Sequence, residues 1–198
     1  KLPLLFPGLA IFFGVHFYSS VRPRAAGKDR SVIMGKNLFR GLYSIAALAG
    51  LILIIIGFGA SRPAAILYTP PTWGSVLNVF LMAAALIILI ASQLPAGFIK
   101  TKLKHPLLIS LKIWALGHLL SNGELNSVLL FGSFLGFAVF NRISLKKRGD
   151  IGAAHAAPKA QWDMIAIVAG LALFIAIMFG LHGTLIGVEI IPGMTIND

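Results

Sequence analysis

Three histidines, a lysine and a tryptophan stand in stretches apolar enough to lie in hydrocarbon: His16, His105, His118, Lys112 and Trp114. Hydrocarbon solvates imidazole and ammonium groups badly, so ionisable side chains at such depth mark a functional site by default. Imidazole is a usual axial ligand of haem iron, and a haem needs one or two of them plus an apolar slot. Several apolar helices each contributing a histidine therefore point to a cofactor, whereas a lone membrane histidine makes a helix-to-helix hydrogen bond. Two histidines without carboxylates or thiolates are too few for a closed zinc site. The chain has no cysteine, which excludes disulfides, thiolate metal sites and c-type haem attachment.

The densest stretch is KHPLLISLKIWALGHLLSNG, Lys104 to Gly123. His105 and His118 are 13 residues apart, about 1,300° of helix at 100° per residue, or about 220° after whole turns. They point to nearly opposite faces, one shared by His118 and Trp114 and the other by His105 and Lys112. His16 and His105 both fall near the basic ends of their spans, so depth pairs these two. A tilted first helix or an inclined haem pairs His16 with His118 instead, and depth alone leaves both pairings open. Lys112 at mid-span costs on the order of 2.5–3.5 kcal/mol. It either snorkels to the interface or serves as countercharge to a haem propionate or a polar substrate group. Arg22, Arg24, Arg40 and Arg142 are further candidates for propionates at the rim. His155 in a loop and His182 at a span end read as ordinary surface and interface residues.

The elements that carry these groups are apolar spans. Of 198 residues 58% are hydrophobic and 12% charged, and the mean hydropathy is +0.90. That is the composition of an integral membrane protein and not of a soluble domain. Spans are expected at about residues 2–20, 42–58, 76–94, 106–121, 126–140 and 164–182, giving an all-α, polytopic bundle in one membrane domain, 1–198. The first apolar run lacks a small-x-small cleavage site and ends in a basic stretch, so it reads as a retained span. Gly132 and Gly136 give the fifth span a small-xxx-small face suited to close packing. Connectors after the first, third and fifth spans hold fourteen Lys/Arg, against only Lys1 and Arg62 on the other side. The positive-inside rule then puts both termini outside the cytoplasm. The net charge of +11 sits in these connectors, where it meets anionic lipid and not nucleic acid.

GLAIFFGVHFYSSVR, FRGLYSIAALAG and above all KHPLLISLKIWALGHLLSNG resemble the NnrU family of bacterial inner-membrane proteins, related to 15-cis-zeta-carotene isomerase. The resemblance runs over roughly Pro7 to Arg148. It implies a haem b with two histidine ligands, His16 and His118, with His105 as a third family histidine. By the same resemblance the function is redox-dependent cis–trans isomerisation of a carotenoid-like polyene. Reduced iron that gives up His16 or His118 would act there as Lewis acid or one-electron donor. The electron donor is not indicated. The alternative is a haem-binding accessory protein of denitrification or nitric oxide metabolism without isomerase activity. A third reading is a structural membrane protein whose histidines only hydrogen-bond.

Overall fold

The structure is a computed structural model and describes residues 3–24 and 27–190. It is all-α. Among the described residues there is no β-strand, only an isolated antiparallel bridge between Ile66 and Glu124. The helices are α1 (Leu5–Val21), α2 (Arg30–Ile33), α3 (Lys36–Ala60), α4 (Gly74–Gln93), α5 (Phe98–Leu103), α6 (Pro106–Ser121), α7 (Leu125–Lys147), α8 (Ala160–Ala176) and α9 (His182–Ile186). Four stretches are long and apolar enough to cross a membrane: α3, α4, α7 and Ala160–Ile186. The other two expected spans, α1 and α6, are apolar but shorter, at 17 and 16 residues. At 1.5 Å per residue each covers about 25 Å of a hydrocarbon core about 30 Å thick. The protein is an integral membrane protein. The helices gather into two compact units, Lys1–Thr69 with Asn122–Arg148, and Pro70–Ser121 with Gly149–Asp198.

In the first unit α1 and α3 pack along a glycine seam. A Cβ at Gly50 would stand 2.7 Å from the Phe12 nitrogen, and one at Gly8 2.7 Å from the Ile54 nitrogen. Gly57 lies as close against the backbone of Leu4 and Leu5. Lipid tails are as apolar as leucine, so van der Waals contact between helices must supply the association, and small residues permit it. The small residues expected to do this, Gly132 and Gly136 on α7, instead have nothing within 4 Å of a Cβ position; α7 packs through Leu130, Phe131, Phe137 and Ala138, all buried. At the start of α7, fully buried Asn126 donates to Ser61 Oγ at 3.1 Å and accepts from the Ser127 amide at 2.8 Å. At the other end the terminal carbonyl of Ser20 accepts from Ser144 Oγ at 2.9 Å and from the Arg148 guanidinium. That satisfies an orphan helix carbonyl with a cation.

In the second unit α4 lies between α6 and α8. Ser110 Oγ of α6 donates to the Ala85 carbonyl of α4 at 2.7 Å, a buried bond. Gly117 and Gly74 bring α6 and α4 into close approach, and Gly170 does so for α8 against Ile87 of α4. The basic connector after α4 folds into α5, which the sequence reading treated as loop. Its first amides, Phe98 and Ile99, donate to the Asp163 carboxylate of α8 at 2.6 and 2.9 Å. The sixth span is not one continuous helix. After Ala176 it passes through a π turn, Ile177–Leu181, where Phe179 and Gly180 leave helical backbone, and resumes as α9. The stretch that follows α9 is described to residue 190, and residues 191–198 lie outside the described residues.

Candidate functional site

His16 sits near the end of α1, half-buried. Its Nδ1 lies 2.6 Å from the carbonyl oxygen of Phe12, one turn earlier. A carbonyl can only accept, so Nδ1 carries the hydrogen and the lone pair is on Nε2. The ring stacks on Phe12 (centroids 4.2 Å, 29° between planes) and is flanked by Tyr43 at 5.3 Å and edge-on Phe137 at 5.7 Å. Ser20, one turn later, donates to the His16 backbone carbonyl at 2.9 Å and to Asn141, and not to the ring. The aromatic setting follows from the run FFGVHF in α1, which puts Phe12 four residues before the histidine.

His118 repeats the arrangement on α6. Its Nδ1 is 2.8 Å from the carbonyl oxygen of Trp114, again one turn earlier, which again places the lone pair on Nε2. The Trp114 ring is 5.2 Å away at 52°. The shared face expected for Trp114 and His118 is therefore present. Behind it, Gly117 admits Asn78 of α4, whose Oδ1 is buried without a hydrogen-bond partner among the described residues. Lys112 is half-buried in the middle of α6.

His105 is placed differently. It precedes α6, its Nε2 lies 3.1 Å from the Asp150 carbonyl oxygen and 3.7 Å from the Asp150 carboxylate. Gly152, at φ +56, packs against the Lys104 carbonyl and the His105 ring, and the Ala153 amide donates to Lys104 at 3.0 Å. A side chain at Gly152 would meet both space and dihedral conflict. His105 thus fastens the loop after α7 to the start of α6. His155 closes an exposed 3₁₀ turn, Gly152–His155, and His182 contacts the Val188 carbonyl through Nδ1 at 2.7 Å.

Of the arginines considered for propionates, Arg22 donates to Asp29 and to Ser31 Oγ, and its guanidinium lies 5.2 Å over the Phe39 ring. Ser31 in turn donates to Asp29 through amide and hydroxyl, and this hydrogen bonding, more than the neighbouring Arg22, holds the Asp29 carboxyl below its ordinary range. Arg40 is exposed in the first turns of α3, and Arg24 reaches the Ser19 carbonyl at 3.4 Å. The sequence reading missed Phe12, Tyr43 and Phe137 around His16, and Asn78 behind His118. The FFGVH run could have indicated the first of these; the others come from helices distant in sequence.

Among the described residues no three His, Asp or Glu cluster as a metal cage. His16 and His118, each within its own unit, are oriented by a carbonyl one turn earlier and lie beside aromatic rings. A family model described as NnrU protein matches residues 4–190, nearly the whole chain. No curated protein and no solved structure matches the chain significantly.

Proposed function

As a member of the NnrU family, to which the chain belongs, this protein is, we propose, a haem b-binding membrane protein that carries out redox-dependent cis–trans isomerisation of a carotenoid-like polyene, as 15-cis-zeta-carotene isomerase does. His16 and His118 are the residues that would hold the haem iron. The observation that carries this reading is their common hydrogen bond, Nδ1–H to the carbonyl four residues earlier. Ligating histidines characteristically donate their other ring N–H to such an acceptor, which fixes tautomer and ring orientation and raises ligand basicity. His105, whose Nε2 is engaged with Asp150, is a structural histidine. When bound, haem supplies a reducible iron able to act as Lewis acid or one-electron donor toward a conjugated chain.

The protein's own part is to hold both imidazoles oriented and to keep water from them. Phe12, Tyr43 and Phe137 do so at His16 and Trp114 at His118. An apolar polyene reaches such a protein from the bilayer. The basic connectors face the cytoplasm of a bacterial cell, and both termini lie on the far side of its inner membrane.

The test is a pyridine haemochrome assay with spectra of both redox states. His16→Ala and His118→Ala each lose haem or convert a six-coordinate low-spin spectrum to high-spin, and His105→Ala leaves it intact. Loss of haem only in His105→Ala, with an unchanged low-spin spectrum in His118→Ala, refutes the ligand assignment. Conversion of a cis-carotenoid by reduced protein then separates the isomerase from a haem-binding accessory of denitrification or nitric oxide metabolism, which would retain haem without converting the polyene.

A further inference from the structure

The glycine seam of the first unit ends at Gly50. Beyond it α1 and α3 are held apart by side chains, and a groove of about 510 Å³ opens between them, roofed by α2. That volume is within the range of about 300–1,000 Å³ typical of small-molecule sites. Leu42, Tyr43 and Ala46 supply one wall and Val15 and Tyr18 the other, with Arg30 and Met34 at the mouth. Along α3 the stripe from Phe39 to Ala46 is about 10 Å long at 1.5 Å per residue. The walls are almost wholly hydrocarbon and aromatic ring.

The mouth is cationic. Residues 22–40 carry six Lys/Arg against one acid, Asp29, and Asp29 is committed to Arg22 and Ser31. Arg22 in turn stacks on Phe39, which lines the groove. The Arg30 side chain makes no hydrogen bond or ion pair among the described residues. A guanidinium beside an apolar slot in a membrane protein suits an amphiphile: an anion to meet the fork and a hydrocarbon chain to fill the walls. A free anion would leave the walls bare, and a neutral apolar molecule would leave Arg30 unanswered.

We propose that this groove is a binding site for one anionic phospholipid, its phosphate at Arg30 and an acyl chain along Val15, Leu42 and Ala46. The surrounding cations select an anionic over a zwitterionic headgroup. The groove shares the Tyr43 ring with the surroundings of His16, but its proposed occupant is a lipid and its test does not depend on haem.

The full-length protein, purified in detergent, is tested by native mass spectrometry and by thermal stability with added phosphatidylglycerol or phosphatidylcholine. Wild type retains one phosphatidylglycerol and is stabilised by it over phosphatidylcholine. Arg30→Gln, at an exposed position, weakens retention about tenfold, the loss of one charge-assisted contact. Ala46→Trp, which fills the groove, abolishes it with helix content unchanged by circular dichroism. The double variant Lys146→Gln/Lys147→Gln, at exposed positions on α7, retains the lipid. Equal response to both lipids overturns the proposal, as does loss in the α7 variant matching that of Arg30→Gln, which would mean diffuse attraction. Displacement of the lipid by inorganic phosphate alone overturns it as well, since that would mean a bare anion site.

Discussion

Replacing Gly50 by alanine tests the contact on which the His16 site rests. A Cβ there would stand 2.7 Å from the Phe12 nitrogen and 2.9 Å from its Cα. Ordinary contact begins at 3.4 Å, so α1 must retreat by about 0.7 Å. Both partners are backbone, so no rotamer change relieves the conflict. A gap of that size forfeits about a quarter to a half of each neighbouring dispersion contact, and overpacking of this kind costs about 1–3 kcal/mol. Alanine also gains about 0.8–1.0 kcal/mol over glycine in helix propensity, which would mask part of the loss. Gly41, on the same helix with nothing within 4 Å, provides the correction, because Gly41→Ala has the propensity gain without the conflict. The difference between the two variants is therefore the packing penalty alone, about 1–3 kcal/mol. Because Phe12 both stacks on His16 and accepts its Nδ1–H, the proposed haem binding through His16 requires that Gly50→Ala also lower haem retention while Gly41→Ala does not. Thermal stability by size-exclusion chromatography after heating, with haem absorbance on the same peak, measures both. Stability of Gly50→Ala within about 0.5 kcal/mol of Gly41→Ala would refute the seam as the determinant.

Asp163→Ala removes the carboxylate that accepts the Phe98 and Ile99 amides; a lost cap costs about 1 kcal/mol, and hydrogen exchange should rise in α5 first. Since Asp29 is held below its ordinary value of 3.8, its contribution is fully present above that value and is lost only as pH falls through the lower folded value. Exchange protection of residues 29–34 should therefore be constant from neutral pH to about pH 5 and disappear only below about pH 4. Reporter fusions after Gly74 and Asp150 should report opposite sides of the membrane, and the same side for both would refute the orientation read from the connectors.

The helices were legible because apolar runs and basic connectors alternate, yet their ends were not. α3 begins at Lys36, six residues before the expected start, because Lys36 and Arg40 tolerate a helix whose polar ends leave the hydrocarbon. α5 reads as a basic connector in FIKTKL, and its cap comes from Asp163, more than sixty residues later. Gly132 and Gly136 have the packing spacing but face open space, while Gly50 and Gly57, seven apart, form the seam; spacing does not say which face a partner helix takes. The helical wheel separated His105 from His118 and joined His118 to Trp114. It could not show that His105 lies before the helix on Asp150, because that contact depends on a distant loop.

The two units are interlaced along the chain, each built from two separated segments, and this constrains how the protein can be made. As the chain leaves the ribosome, α1 and α3 must wait through the whole of α4, α5 and α6 before α7 arrives to complete their bundle. α4 and α6 wait in turn for α8, whose Lys159 amide and Asp163 carboxylate hold Ala96, Phe98 and Ile99. Both bundles therefore exist for a time as open pairs of helices, and no single cut in the chain releases either as one continuous fragment. The order of synthesis favours late closure of both units within a few dozen residues of each other, so truncation from the C-terminus removes the second unit's closing helix first and the first unit's next.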